Sequence, residues 1–239
     1  MDMLVSHEFW IGLLKIIWIN LLLSGDNAVV IALAARSLPP KQQRLAIFWG
    51  SGAAITLRIL LTVFAIALLT LPYLKLIGGM LLIWIGVQLL IPEDDGEGGV
   101  KSHDNLIKAI RTILIADLVM SLDNVIGVAA AADTALPDQK LTLLILGLAI
   151  SIPIVIFGST MMLKVMERYP VIITLGGALL GWIAGEMMVT DPAIAQWVTT
   201  NANWLVEFHV AKIAGALLVY VVGTYIANSK AGAAAAGPN

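Results

Sequence analysis

Cysteine is missing from all 239 residues, which excludes disulfides and thiolate metal ligands. Charge is scarce: Asp, Glu, Lys and Arg make up 13% of the chain, hydrophobic residues make up 59%, and mean hydropathy is +0.93. Soluble domains carry roughly 25% charged residues, so this composition belongs to a polytopic membrane protein whose first partner is the lipid bilayer. Histidine is sparse as well. His7, His103 and His209 fall at predicted helix ends or loops and read as surface residues, not ligands. No G-x-x-x-x-G-K-[ST] phosphate loop occurs, so no nucleotide-driven step is expected. The expectation is a non-enzyme with no resident cofactor and no nucleic-acid partner.

What is abundant is long apolar sequence. Stretches at about 9–35, 45–69, 73–91, 107–132, 141–163, 171–189 and 205–227 each approach the roughly 20 residues a spanning helix needs. The fold class is therefore an all-α polytopic membrane helix bundle of seven transmembrane helices. A cleaved signal peptide would end near Ala32-Leu33-Ala34. However, the leading segment carries Asp2 and Glu8 without Lys or Arg, and its apolar run is too long, so it is retained as the first helix. Arg36, Lys41, Arg44, Lys101, Lys108, Arg111, Lys164, Arg168 and Lys230 fall on one side of the bundle, and Lys75 and Lys140 on the other. The positive-inside rule then puts the amino terminus outside and the carboxyl terminus in the cytoplasm.

Inside this apolar sequence a polar string occurs twice: Ser24-Gly25-Asp26-Asn27 and, 97 positions later, Ser121-Leu122-Asp123-Asn124. Ser24 to Ala35 and Ser121 to Ala132 agree at six of twelve positions, and Leu76–Leu90 matches Thr174–Met188 at an offset of 98, sharing Gly-Gly, Leu-Leu and Trp-Ile. The chain thus reads as a first three-helix repeat (1–91), an acidic Gly-rich cytoplasmic linker (92–106), a second repeat (107–189), an outer connection with the seventh helix (190–227) and a disordered tail (228–239). An odd number of helices per repeat inverts the second copy, and inverted repeats place their matching mid-helix segments together near the midplane.

An ionisable residue inside a membrane is costly and marks a site. Asp26 and Asp123, with Asn27 and Asn124 beside them, are the candidate metal ligands: oxygen donors that suit hard divalent ions such as Mn²⁺, Mg²⁺ or Ca²⁺. Asn20, Ser24 and Asn27 share a helical stripe, as do Asp117, Ser121 and Asn124. A local break at Gly25 would turn Asp26 onto that face and free carbonyls as ligands; Leu122 at the equivalent position weakens the case there. Asn20, Asp117, Glu186 and its repeat partner Gln88 are further candidate metal or proton sites, and Arg58 needs a carboxylate partner if it lies in the membrane.

The strings NLLLSGDNAVVIALA (Asn20 to Ala34) and ADLVMSLDNVIGVAAAA (Ala116 to Ala132) resemble the paired signatures of the TerC family, over almost the whole chain to about Ile226. That resemblance implies a bacterial inner-membrane protein in the wider superfamily of LysE-type exporters, with manganese export as the activity and the acidic positions carried onto Asp26 and Asp123. Exchange of metal for protons supplies coupling without a nucleotide. Two alternatives stand beside it. One is export of a small organic solute such as an amino acid, for which Arg58 is the sole candidate receptor of the carboxylate. The other is an intramembrane aspartyl protease with two paired aspartates, whose Gly-x-Gly-Asp string the chain lacks.

Overall fold

The computed structural model describes residues 7–22, 24–64, 71–91, 101–132 and 140–235, without side chains at 7, 8, 19, 20, 22, 63, 101–104, 123, 125–132, 140, 141, 144 and 231–235. The described chain is helical: α1 His7–Leu22, α2 Gly25–Ala35, α3 Pro40–Val63, α4 Leu74–Leu90, α5 Lys101–Ala132, α6 Lys140–Arg168, α7 Val171–Val189, short α8 Ala195–Asn201 and α9 Trp204–Glu207, and α10 Val210–Ala235. Proline marks the starts, with Pro39-Pro40 opening α3 and Pro170 preceding α7, because a fixed φ and a missing N–H cost least in a helix's first turn. Pro153 lies inside α6. It leaves the Ala149 carbonyl without its i+4 donor.

Pro40–Thr62, Ile145–Arg168, Val171–Val189 and Val210–Lys230 are long and apolar enough to cross a membrane, and Phe9–Trp18, Gly25–Ala35 and Leu74–Leu90 are shorter apolar helices. The outward surface agrees. Phe157 is 71% exposed, and Trp18, Trp49, Leu175 and Tyr225 are exposed with it, an apolar exterior that needs lipid as its solvent.

The chain forms two compact units: Met1–Thr70 with Asn105–Leu163, and Leu71–Asp104 with Lys164–Asn239. The first holds α1, α2, α3 and most of α5 and α6 around Phe9, Ile16, Leu33, Ile47, Ile113, Leu143 and Leu148. The second holds α4, α7, α8, α9 and α10 around Leu82, Ile85, Leu180, Met187 and Val219. In that unit α4 and α7 run antiparallel. A methyl group at Gly79 would meet Met188 and the Ala184 carbonyl, one at Gly86 would meet the Gly177 carbonyl, and one at Gly177 would meet Leu90. Glycine also brings α7 against α10, where a Cβ at Gly181 or Gly185 would collide with the backbone of Gly215 or Ala211. Such close crossings are what small residues provide between helices in lipid.

Three boundaries differ from the sequence reading. The stretch 9–35 is two helices, α1 ending at Leu22 and α2 beginning at Gly25. Helix α5 begins at Lys101 and takes in the end of the 92–106 linker, because Asn105 to Arg111 already continues the apolar-polar pattern of the helix; residues 92–100 lie outside the described part. The tail from 228 is helical as far as Ala235, since its alanines are the strongest helix formers and extend a helix already nucleated.

Candidate functional site

In the first unit a charged pair is buried between α3 and α5. Arg58 is 2% exposed and Asp117 5%. The guanidinium Nη2 donates to Asp117 Oδ1 at 2.5 Å, and Nε donates to Ser121 Oγ at 3.0 Å. Ser121, one turn along α5 from Asp117, donates its own proton to Asp117 Oδ2 at 3.1 Å. The fork of Arg58 thus closes a three-membered network, and every polar member gains a partner, as a buried ion pair requires. The sequence expectation that Arg58 seeks a core carboxylate is met by Asp117.

Beside this network runs the α1–α2 break. Ser24 is a turn residue whose N–H reaches back to the Leu21 carbonyl at 3.3 Å, and α2 begins at Gly25. A helix end leaves its last carbonyls and first N–H groups without intrahelical partners, so the break gathers backbone donors and acceptors inside an apolar stretch. Asp26 occupies the first turn of α2, where the positive end of the helix dipole favours an anion. One Asp26 oxygen accepts from the Asn27 N–H at 2.8 Å, and Arg58 and Asp117 lie within electrostatic reach of the carboxylate. Asn27 and Asn124 are buried. Ser24 Oγ is buried as well and has no hydrogen-bond partner among the described residues, a state with a desolvation cost that a ligand would relieve. In the second copy of the string, α5 runs through Ser121 to Asn124 without interruption. The side chains of Asp123 and Asn20 lie outside the described residues.

The remaining candidates belong to the second unit. Glu186 pairs with Lys212 at 2.5 Å, and Lys212 also stands over the Trp182 ring, 5.7 Å from its centre. Gln88 is exposed on α4. Sequence reasoning missed Asp191, which is fully buried and accepts backbone N–H bonds from Ala193 at 2.7 Å, Tyr73 at 2.9 Å and Leu76 at 3.1 Å. Burial works to raise its pKa, but the N–H groups of Ala193, Tyr73, Leu76 and Lys75 outweigh it and hold the carboxyl below its ordinary value. Asp191 thereby caps α4 from the far side of the sequence. Its only signal was an acid-proline pair directly after an apolar helix.

Among the described residues no three His, Asp or Glu side chains gather closely enough to hold a metal ion. The oxygen donors at the start of α2 are Asp26, Ser24 and Asn27.

A helical chain with an apolar exterior and an ion pair buried among its spans is an integral membrane protein. It belongs to the integral membrane protein TerC family, whose match spans residues 5–231. Among its relatives is the membrane protein YjbE of Bacillus subtilis, 42% identical over 83% of this chain and 88% of that one. The membrane protein YkoY of the same organism is 25% identical over 78% of this chain and 62% of its own length. The inner membrane protein YoaE of Escherichia coli K12 is 24% identical over 73% of this chain and 36% of its own. No solved structure matches.

Proposed function

We infer that this chain exports divalent metal ions, Mn²⁺ first, across the cytoplasmic membrane, exchanging metal for protons at a site built on Asp26 and Asp123 with Asn27 and Asn124. One observation carries the reading: an acidic side chain, Asp26, heads a helix that starts in the middle of an apolar stretch, next in the chain to the buried Ser24 hydroxyl, which has no partner among the described residues. Discontinuous helices of this kind supply dipole ends and free carbonyls to transported ions. Oxygen donors alone suit a hard cation.

The topology proposed for this function has seven spans: α1 with α2, then α3, α4, α5, α6, α7 and α10, with the amino terminus outside. Two features support an inverted repeat. Each compact unit draws corresponding helices from both halves of the chain. The α4–α7 contacts also pair up under the offset of 98: Gly79 with Met188 becomes Gly177 with Leu90, and Gly79 with Ala184 becomes Gly177 with Gly86. A self-complementary interface is what a two-fold relation produces. Amino-acid export is the weaker reading, since Arg58, its sole candidate receptor, already binds Asp117. The experiment is Mn²⁺ efflux from loaded cells carrying the wild type or an Asp26→Asn variant, normalised to inserted protein. Loss of efflux in the variant is expected, and unchanged efflux would count against the site.

A further inference from the structure

Helices α7 and α10 touch backbone to backbone at Gly181 and Gly185, where a Cβ would strike Gly215 or Ala211, but nearer the start of α7 they are held apart. There a Cβ at Gly177 or at Gly223 would meet the side chain of Leu90, a buried residue of α4 that touches both helices. A groove of about 470 Å³ opens between the two, walled by Thr174, Leu175 and Ala178 of α7 and by Leu217, Tyr220 and Thr224 of α10. The walls are mostly apolar, and the Thr224 hydroxyl donates to the Tyr220 carbonyl at 2.6 Å. Val171 lines the end of the groove at the start of α7. Arg168 comes three residues earlier, so its Cα lies within about 11 Å of that of Val171, and Lys164 lies one turn before Arg168 on the same face of α6. Lys230 stands about 9 Å along α10 beyond Thr224. All three bases are exposed, as is the neighbouring Glu167, and among the described residues none of the three pairs with a carboxylate. The Arg168 guanidinium is 5.8 Å from the centre of the exposed Tyr169 ring, an aromatic of the kind that sits at headgroup depth.

We propose that this groove binds one anionic phospholipid, with an acyl chain between α7 and α10 and the headgroup phosphate against Arg168, Lys164 and Lys230. The site is independent of the metal-export reading. Its volume falls in the range of small-molecule sites, roughly 300–1,000 Å³. Val171 to Ala178 spans about 10 Å of helix, less than half of a hydrocarbon core about 30 Å thick, so the groove suits a tail from one leaflet whose headgroup emerges at the basic end. Basic residues beside a span attract anionic headgroups, at about fivefold in affinity per base. A second copy of this chain fits the face less well. Close helix pairing in lipid uses small residues, whereas α10 exposes Leu217, Leu218, Tyr220, Val221 and Tyr225.

The test is native mass spectrometry of the purified full chain in detergent, titrated with dioleoylphosphatidylglycerol or dioleoylphosphatidylcholine. The wild type is expected to hold one phosphatidylglycerol about tenfold or more tightly than phosphatidylcholine. Lys164→Gln with Arg168→Gln changes two exposed residues and should bring the two lipids to within about twofold of each other. Lys41→Gln with Arg44→Gln, an exposed basic pair in the first turns of α3, should leave the preference intact. Ala178→Phe fills the groove and should weaken both lipids. Equal retention of the two lipids by the wild type would overturn the proposal. So would a preference that survives the loss of Lys164 and Arg168, or one that falls as far in the Lys41 and Arg44 variant. A dimer that Ala178→Phe splits would overturn it as well, by making the groove an interface between copies. The two charge variants decide the matter even if Ala178→Phe fails to insert.

Discussion

Asp191 allows the most quantitative expectation. Its Oδ1 accepts from Ala193 and Tyr73 and its Oδ2 from Leu76, with the Asp191 side chain buried and its N–H donors partly so. Asp191→Ala removes the acceptor of three partly buried N–H groups, two of them at the start of α4. Charge-assisted bonds contribute about 1.5–3 kcal/mol each, and water reaching the opened helix end recovers part, so the expected loss is about 3–4 kcal/mol. Asp191→Asn keeps Oδ1 for Ala193 and Tyr73 but turns an NH₂ toward the Leu76 N–H, so the expected loss is about 1–2 kcal/mol. The pH sign follows from the carboxyl being held below its ordinary value. Its contribution is complete above the unfolded pKa of about 3.9 and disappears as pH falls through the lower folded value. Thermal unfolding followed by tryptophan fluorescence in detergent measures all three proteins. The wild type should lose stability relative to Asp191→Asn as acid is added. An Asp191→Ala protein as stable as wild type, or an Asn variant as damaged as the Ala variant, would refute the capping argument.

Gly181→Ala should destabilise by about 1–3 kcal/mol because the new methyl meets the Gly215 backbone. Gly52→Ala has open space around it and should be neutral or stabilising by up to about 1 kcal/mol; similar melting shifts in the two would deny the close α7–α10 crossing. Glu186→Gln breaks the half-exposed pair with Lys212, so efflux should keep its wild-type pH profile, and a shifted profile would put Glu186 in the ion path. Reporters fused at Gly98 and after Lys230 should both report cytoplasm, and opposite signals would remove the inverted 3+3 arrangement.

Much of this molecule is visible in its letters because lipid imposes a simple rule: apolar runs become helices, and polar exceptions matter. Arg58 was legible as a cation in need of a core carboxylate, since a lone charge is costly in an apolar span, but no local pattern singled out Asp117 as its partner. The break before Asp26 was foreshadowed by Gly25, and the intact second copy by Leu122. Asp191 was not foreseeable, because a cap that reaches 118 residues back to Tyr73 leaves no local pattern. The Glu186–Lys212 pair was hidden for the same reason. It joins α7 to α10 across a connection whose fold only packing decides. The helical tail reflects alanine's propensity, which composition alone had suggested as low-complexity disorder.

The central claim is that Asp26 and Asp123 serve one divalent ion together. The direct measurement is Mn²⁺ efflux from loaded cells, normalised to membrane-inserted protein, for Asp26→Asn, Asp123→Asn and the double variant. Each single change preserves shape and one oxygen donor but removes half of the carboxylate charge facing the ion. Each should abolish most efflux, and the double change should add little, because residues acting as one unit are strongly non-additive. Substantial efflux by the double variant, or two mild and independent losses, would contradict the shared site.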